Sequence, residues 1–164
     1  MPGYRGHLIG ATVLYGVLMY AICANECIPS PSCALEWLGC ILAGALFPDI
    51  DVKSKGQKYF YIMLLMLLIF LIFNHQFQLA ACVGMLSVIP LLVRHRGIFH
   101  HPLFVVLLPL VLWFGASIGS CPDVRRLLFF DTVFFICGAL SHLALDFVVA
   151  PTYRKMHPFR RARR

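Results

Sequence analysis

The stretch Gly44-Ala45-Leu46-Phe47-Pro48-Asp49-Ile50-Asp51 closes an apolar run with two carboxylates. Everything before Pro48 suits a helix in an apolar surround. Beyond Asp51 the chain enters a polar loop carrying Lys53, Lys55 and Lys58. A pair of acids at the end of a hydrophobic segment is unremarkable alone, because Asp favours turns. Its meaning depends on what the remainder of the chain brings to the same level.

The chain has 164 residues, of which 60% are hydrophobic and 13% charged. Soluble proteins average about a quarter charged residues. With a mean hydropathy of +0.83, this chain carries more apolar surface than a soluble fold of its size can hide. We read an all-α, polytopic membrane helical bundle, for which lipid is part of the solvent. Residues 1–152 form one membrane-embedded domain in this reading, and residues 153–164 form a basic cytoplasmic tail.

Six apolar segments are expected: about Leu8 to Ala24, Ala34 to Phe47, Tyr59 to Phe73, Leu79 to Val93, Pro102 to Gly119 and Leu127 to Ala150. The second is short for a span, and is read as tilted, partly buried among its neighbours, or re-entrant. The third is almost purely aliphatic and aromatic, which suits a lipid-facing helix. Gly6, Gly10 and Gly16 suit close helix contact in the first. Pro151 should end the sixth. Residues 1–24 imitate a signal peptide, with Arg5, an apolar run and Ala21-Ile22-Cys23-Ala24; they are taken here as a retained segment.

Six segments put both termini on one side. That side then carries Arg5, the three loop lysines, Arg94, Arg96 and the basic residues of the tail. The other side carries only Arg125 and Arg126. The positive-inside rule makes the termini cytoplasmic in the inner membrane. The net charge of +7 therefore speaks for membrane lipid as partner, not nucleic acid. Seven cysteines include no CxxC pair. Cys40, Cys82 and Cys137 read as small core residues. Cys23, Cys27, Cys33 and Cys121 lie near segment ends, where an oxidising compartment would allow disulfides.

The same topology levels the polar residues. His7, Asp49, Asp51, His95, His100 and His101 fall at the cytoplasmic ends of their segments. His142 and Asp146 fall in the last third of the sixth. These two are four apart, so they share a helix face, with Gly138 one turn earlier where a neighbouring backbone can approach. Buried ionisable groups in a membrane helix face the protein interior or water. A His–Asp pair that glues helices is the plain alternative. His75 and Asp131 belong to the far side, and His157 is ambiguous.

Carboxylates crowded together repel unless a cation or proton lies between them. Aspartate with histidine suits a divalent metal, zinc first and manganese or iron next, as one or two ions. The candidate ligands are His7, Asp49, Asp51, His95, His100, His142 and Asp146. That is more than one ion needs. Asp51 and His101 are the candidates for catalytic base duty beside it, and Arg96 for holding a phosphate or other anionic group. The expected chemistry is attack of metal-activated water on an ester, amide or phosphoester, with a lipid the natural substrate at headgroup depth. The alternatives are a metal or proton transporter and a non-catalytic protein locked by its polar cluster.

In order, His7, Leu46-Phe47-Pro48-Asp49-Ile50-Asp51, His95-Arg96-Gly97-Ile98-Phe99-His100 and Ser141-His142 with Asp146 make a pattern that resembles the YdjM-type family. These are LexA-regulated inner-membrane proteins of bacteria and archaea, regarded as metal-dependent hydrolases. The resemblance runs from His7 to Pro158-Phe159. It implies ligand roles for His7, Asp49, Asp51, His95, His100, His142 and Asp146. Phe99-His100-His101 departs from the Thr-His-Ser frequent in the family, which adds a ligand or changes which histidine binds. Phe147-Val148-Val149-Ala150-Pro151 departs from a Thr- and Gly-rich exit loop. A looser likeness to zinc-dependent phospholipase C, all-helical with His and Asp ligands, is analogy only.

Overall fold

The structure, a computed structural model, describes residues 3–26, 28–50, 55–92 and 100–156. Among them it contains six α-helices and no strand: α1 Tyr4–Ala24, α2 Pro31–Leu46, α3 Lys55–Phe73, α4 Phe77–Leu92, α5 Pro102–Ser117 and α6 Pro122–Met156. A 3-10 turn, Phe47–Asp49, extends α2. Four stretches are long and apolar enough to cross a membrane: Tyr4–Ala24, Pro31–Asp49, Lys55–Phe73 and Pro122–Val148. The shorter α5 is apolar too.

Most helices start earlier than their apolar runs. At α2 the cause is local: the Ser30 side chain accepts a hydrogen bond from the Cys33 N–H at 3.3 Å, and Pro31 fills the first turn. A side-chain cap and a proline with pre-set φ satisfy orphan N–H groups before the hydrophobic residues begin. The first turn of α6 likewise takes in Pro122 and Asp123, where a negative charge favours the helix dipole. The expected stop at Pro151 is overturned, since α6 runs on to Met156. Proline removes one N–H and clashes with the turn before it, but later residues remain free to continue helically. Past α5, Gly119 takes φ +79°, which glycine adopts without a Cβ penalty.

The core lies where α1, α2 and α6 meet. Ala11, Trp37, Ile41, Ala45 and Phe134 are buried there. Trp37 stacks on Phe134 with ring centroids 5.0 Å apart, and the Tyr15 hydroxyl donates to the Ala34 carbonyl at 2.7 Å. Helices α2 and α6 share the most extensive contact. Two glycines allow it: a Cβ on Gly44 would strike the Phe135 backbone carbonyl, and one on Gly138 would strike that of Ile41. Small residues let membrane helices approach backbone to backbone, so the close approach expected at Gly138 is present. Of the expected α1 contacts, Gly10 packs against Leu145, whereas Gly16 faces open space.

The second segment is partly buried among its neighbours, more so than the other spans, and α3 is mostly exposed, as its composition requires. Met66, Phe70 and Phe73 of α3 point outward, which in lipid costs nothing. Cys23, Cys33, Cys40, Cys121 and Cys137 are free thiols. Cys27 lies outside the described residues.

Candidate metal centre

Two helices, one turn and the approach to a third helix deliver the site. His7 sits in the first turns of α1, where it is 2% exposed. Asp49 ends the 3-10 turn after α2. That turn is fixed by Ile50 N–H donating to the Phe47 carbonyl at 3.1 Å. The Gln57 side chain then ties the Ile50 carbonyl to the start of α3 at 2.8 Å. Phe47 and Ile50 are buried beneath it, against Phe60, Phe104 and Phe135. His100 lies just ahead of α5. His142 and Asp146 come from one face of α6.

Alternation of the six helices brings these elements to one end of the bundle. The start of α1, the end of α2, the approach to α5 and the second half of α6 meet there. Nε2 of His142 stands 3.6 Å from an Asp49 oxygen and 3.7 Å from an Asp146 oxygen. Nε2 of His7 lies 3.5 Å from Asp146, and Nε2 of His100 lies 3.7 Å from Asp49. Two ligand groups result, His7–His142–Asp146 and Asp49–His100–His142, and they share His142.

Those separations are too long for hydrogen bonds, whose N–H···O distance is about 2.7–3.2 Å. They are close to the edge of a tetrahedron of ligands around one ion: bonds of about 2.0–2.1 Å give edges of about 3.3–3.4 Å. His142 makes the point sharply. Its Nδ1 lies 2.7 Å from the Ala45 carbonyl. A carbonyl only accepts, so Nδ1 carries the proton and donates, leaving a bare lone pair on Nε2. That Nε2 is buried and has no hydrogen-bond partner. A buried acceptor facing two carboxylates, which are also acceptors, is an arrangement that only a cation or added protons resolve. An imidazole held by a backbone carbonyl is the usual support of a metal-ligating histidine.

One lone pair binds one ion. The two groups therefore describe two neighbouring cation positions that share His142, and Nε2 of His142 serves one of them at a time. His7 stacks on His142 with ring centroids 3.7 Å apart and planes 12° from parallel. This stack forms the buried wall. Asp49 and His100, each 25% exposed, form the open side, where a catalytic ion would keep a position for water or substrate.

Five of the ligands expected from sequence thus converge: His7, Asp49, His100, His142 and Asp146. His101 precedes α5 as its exposed N-cap and belongs to neither group. Asp51, His95 and Arg96 lie outside the described residues, as does His157. Asp131 is in neither group and neighbours Cys40 instead. The Ala45 carbonyl was invisible to motif reading, since a backbone group carries no side-chain signal. Gly44, opposite Phe135, is the trace that helix backbones touch at this level.

Fold and site together define a membrane-spanning helical bundle with a His/Asp cluster, fit for a cation, at one end. The chain belongs to the YdjM inner membrane protein family, whose model matches residues 1–164. No curated protein and no solved structure matches it.

Proposed function

We propose that this protein is a membrane-embedded, metal-dependent hydrolase. Its site lies at the cytoplasmic end of the helices and acts on an ester or phosphoester of an amphipathic substrate. The observation that carries the reading is the lone pair of His142 Nε2, buried, without a hydrogen bond and flanked by Asp49 and Asp146. A donor set of imidazole and carboxylate, with no thiolate, suits zinc, and manganese or iron next. The crowding of basic residues beside this end supports a cytoplasmic orientation.

A bound divalent ion supplies Lewis acidity and lowers the pKa of a coordinated water to about 7. The chain's own groups do the rest. His7 and His142 form a dry wall that fixes the ligands. Ala45 orients His142 through Nδ1. Asp49 and His100 border the open side, where substrate enters. Asp51 and His101 are the candidates to accept the proton of the attacking water, and Arg96 to hold an anionic group of the substrate.

The test is metal analysis of protein purified without chelator, beside turnover of a panel of phosphomonoester, phosphodiester and carboxylic ester lipids. Stoichiometric metal, with turnover lost in His142→Ala, is the expected outcome. Wild-type protein free of metal overturns the reading. Metal that crosses the bilayer of liposomes holding the protein, with no turnover on any ester, assigns the same ligands to transport.

A further inference from the structure

Beside the metal cluster, α1 and α3 begin together. The Tyr4 ring packs on Tyr59 with centroids 5.3 Å apart. Arg5 donates from Nε to the Tyr4 hydroxyl at 3.2 Å and holds its guanidinium 5.9 Å from the Tyr4 ring. Lys55 lies four residues before Tyr59 on α3, on the same helix face. Two cations and two phenols thus gather from two helices. Among the described residues neither Arg5 nor Lys55 forms an ion pair with a carboxylate. No acidic residue occupies the first turn of α1 or of α3. Aromatic and basic residues do anchor helices at an interface. A pure anchor, however, does not require the aromatic rings of two helices to pack together with a guanidinium held on one of them.

We propose that Tyr4, Arg5, Lys55 and Tyr59 form a binding site for the phosphate of an anionic lipid headgroup. Its role as the substrate's docking point rests on the hydrolase reading above, but the binding itself does not. Guanidinium and ammonium supply charge, with the guanidinium offering paired donors to phosphate oxygens. The phenols add O–H donors. Tyr4 lies three residues before His7, on the same side of α1 and about 4.5 Å along the axis. A phosphate held here stands one helical turn from the ligand cluster. The lipid source is favoured by the surface beneath: Ile9, Val13 and Val17 of α1, and Ile62, Met66 and Phe70 of α3, are exposed apolar side chains running away from the polar group. Acyl chains in line with a bound headgroup would cover them.

The test compares phosphatidic acid with diacylglycerol of the same chains, which differ only in the phosphate, by native mass spectrometry of the detergent-purified full chain. Wild-type protein should bind phosphatidic acid at least tenfold better. The double variant R5Q/K55Q should lose about tenfold of that preference with its metal content unchanged. Y4F/Y59F, which keeps the rings and removes only the hydroxyls, should lose about threefold. R5Q/K55Q binding phosphatidic acid like wild type overturns the site. So does a preference that chelation abolishes and R5Q/K55Q leaves intact, since the phosphate then sits on the metal and the hydrolase reading survives. If wild type purified without chelator holds no metal, and its preference still disappears in R5Q/K55Q, the site stands while the hydrolase reading fails. Competition by glycerol phosphate at equal concentration overturns the lipid as source.

Discussion

His142 donates through Nδ1 to the carbonyl of Ala45, 97 residues earlier, at 2.7 Å. This bond links the α2 backbone to the ring on α6 whose Nε2 belongs to both candidate ligand groups. It also explains why the site and the tightest packing in the bundle share one level: Ala45 is next to Gly44, and Gly138 lies one turn before His142. The helices must touch for the carbonyl to reach the ring.

Replacing His142 should therefore do two things at once. His142→Ala removes the shared ligand and leaves the Ala45 carbonyl without its donor. Metal content should fall by at least tenfold, read as ions per chain. An unsatisfied buried carbonyl should cost a further ~1–3 kcal/mol, seen as a lower unfolding midpoint. His142→Gln, whose side-chain amide offers a donor of its own, should recover part of the stability and little of the metal.

The two neighbouring histidines before α5 separate by position. His100 faces Asp49, whereas His101 is exposed and in neither ligand group. His100→Ala removes a candidate ligand and should weaken metal binding by at least about tenfold, no less than the loss of a partner that merely supports a ligand. His101→Ala should leave metal affinity within about twofold of wild type, although turnover should fall if it serves as base. Metal titration of both variants checks this, and equal losses would contradict the assignment.

Hydropathy and charge made the fold legible. Six apolar runs became six helices, and leveling the polar residues by segment parity brought His7, Asp49, His100, His142 and Asp146 together. Helix starts were less visible, because hydropathy marks what lipid covers while caps mark where the helix begins. Ser30 and Pro31 open α2 ahead of its apolar run, and Lys55 to Lys58 form a polar first turn of α3. Pro151 misled for a related reason: a proline breaks one hydrogen bond, and α6 continues beyond it. The division of labour between His100 and His101 could not be read at all. Adjacent residues share their motif, and only the entry of the chain into α5 decides which ring turns inward.

Glycine tolerance gives a control within the protein. Gly138→Ala places a methyl against the Ile41 carbonyl, and backbone cannot yield as a flexible side chain does. Overpacking of this kind costs ~1–3 kcal/mol or more. Because the clash lies one turn from His142, metal should be lost with stability. Gly16→Ala faces open space, so it should raise stability slightly, by up to ~1 kcal/mol, through helix propensity. Unfolding midpoints and metal content measured together test the pair.

Metal removal should destabilise the bundle as a whole, because the ligands come from α1, α2, the approach to α5 and α6. An ion that binds only the folded chain stabilises it by about 2.7 kcal/mol when its concentration is 100 times Kd. Chelation should therefore lower the thermal midpoint of wild type, and readdition of zinc should restore it. Asp146→Asn keeps the shape of the side chain but removes the charge that faces both His7 and His142. In that variant the apo protein should be no less stable than apo wild type, since a partly buried carboxylate with no hydrogen bond to Oδ1 is no longer charged. The response to added zinc should shrink to a small fraction of the wild-type shift. An unchanged zinc response in Asp146→Asn would show that the ion, if bound, rests on Asp49 and His100 alone.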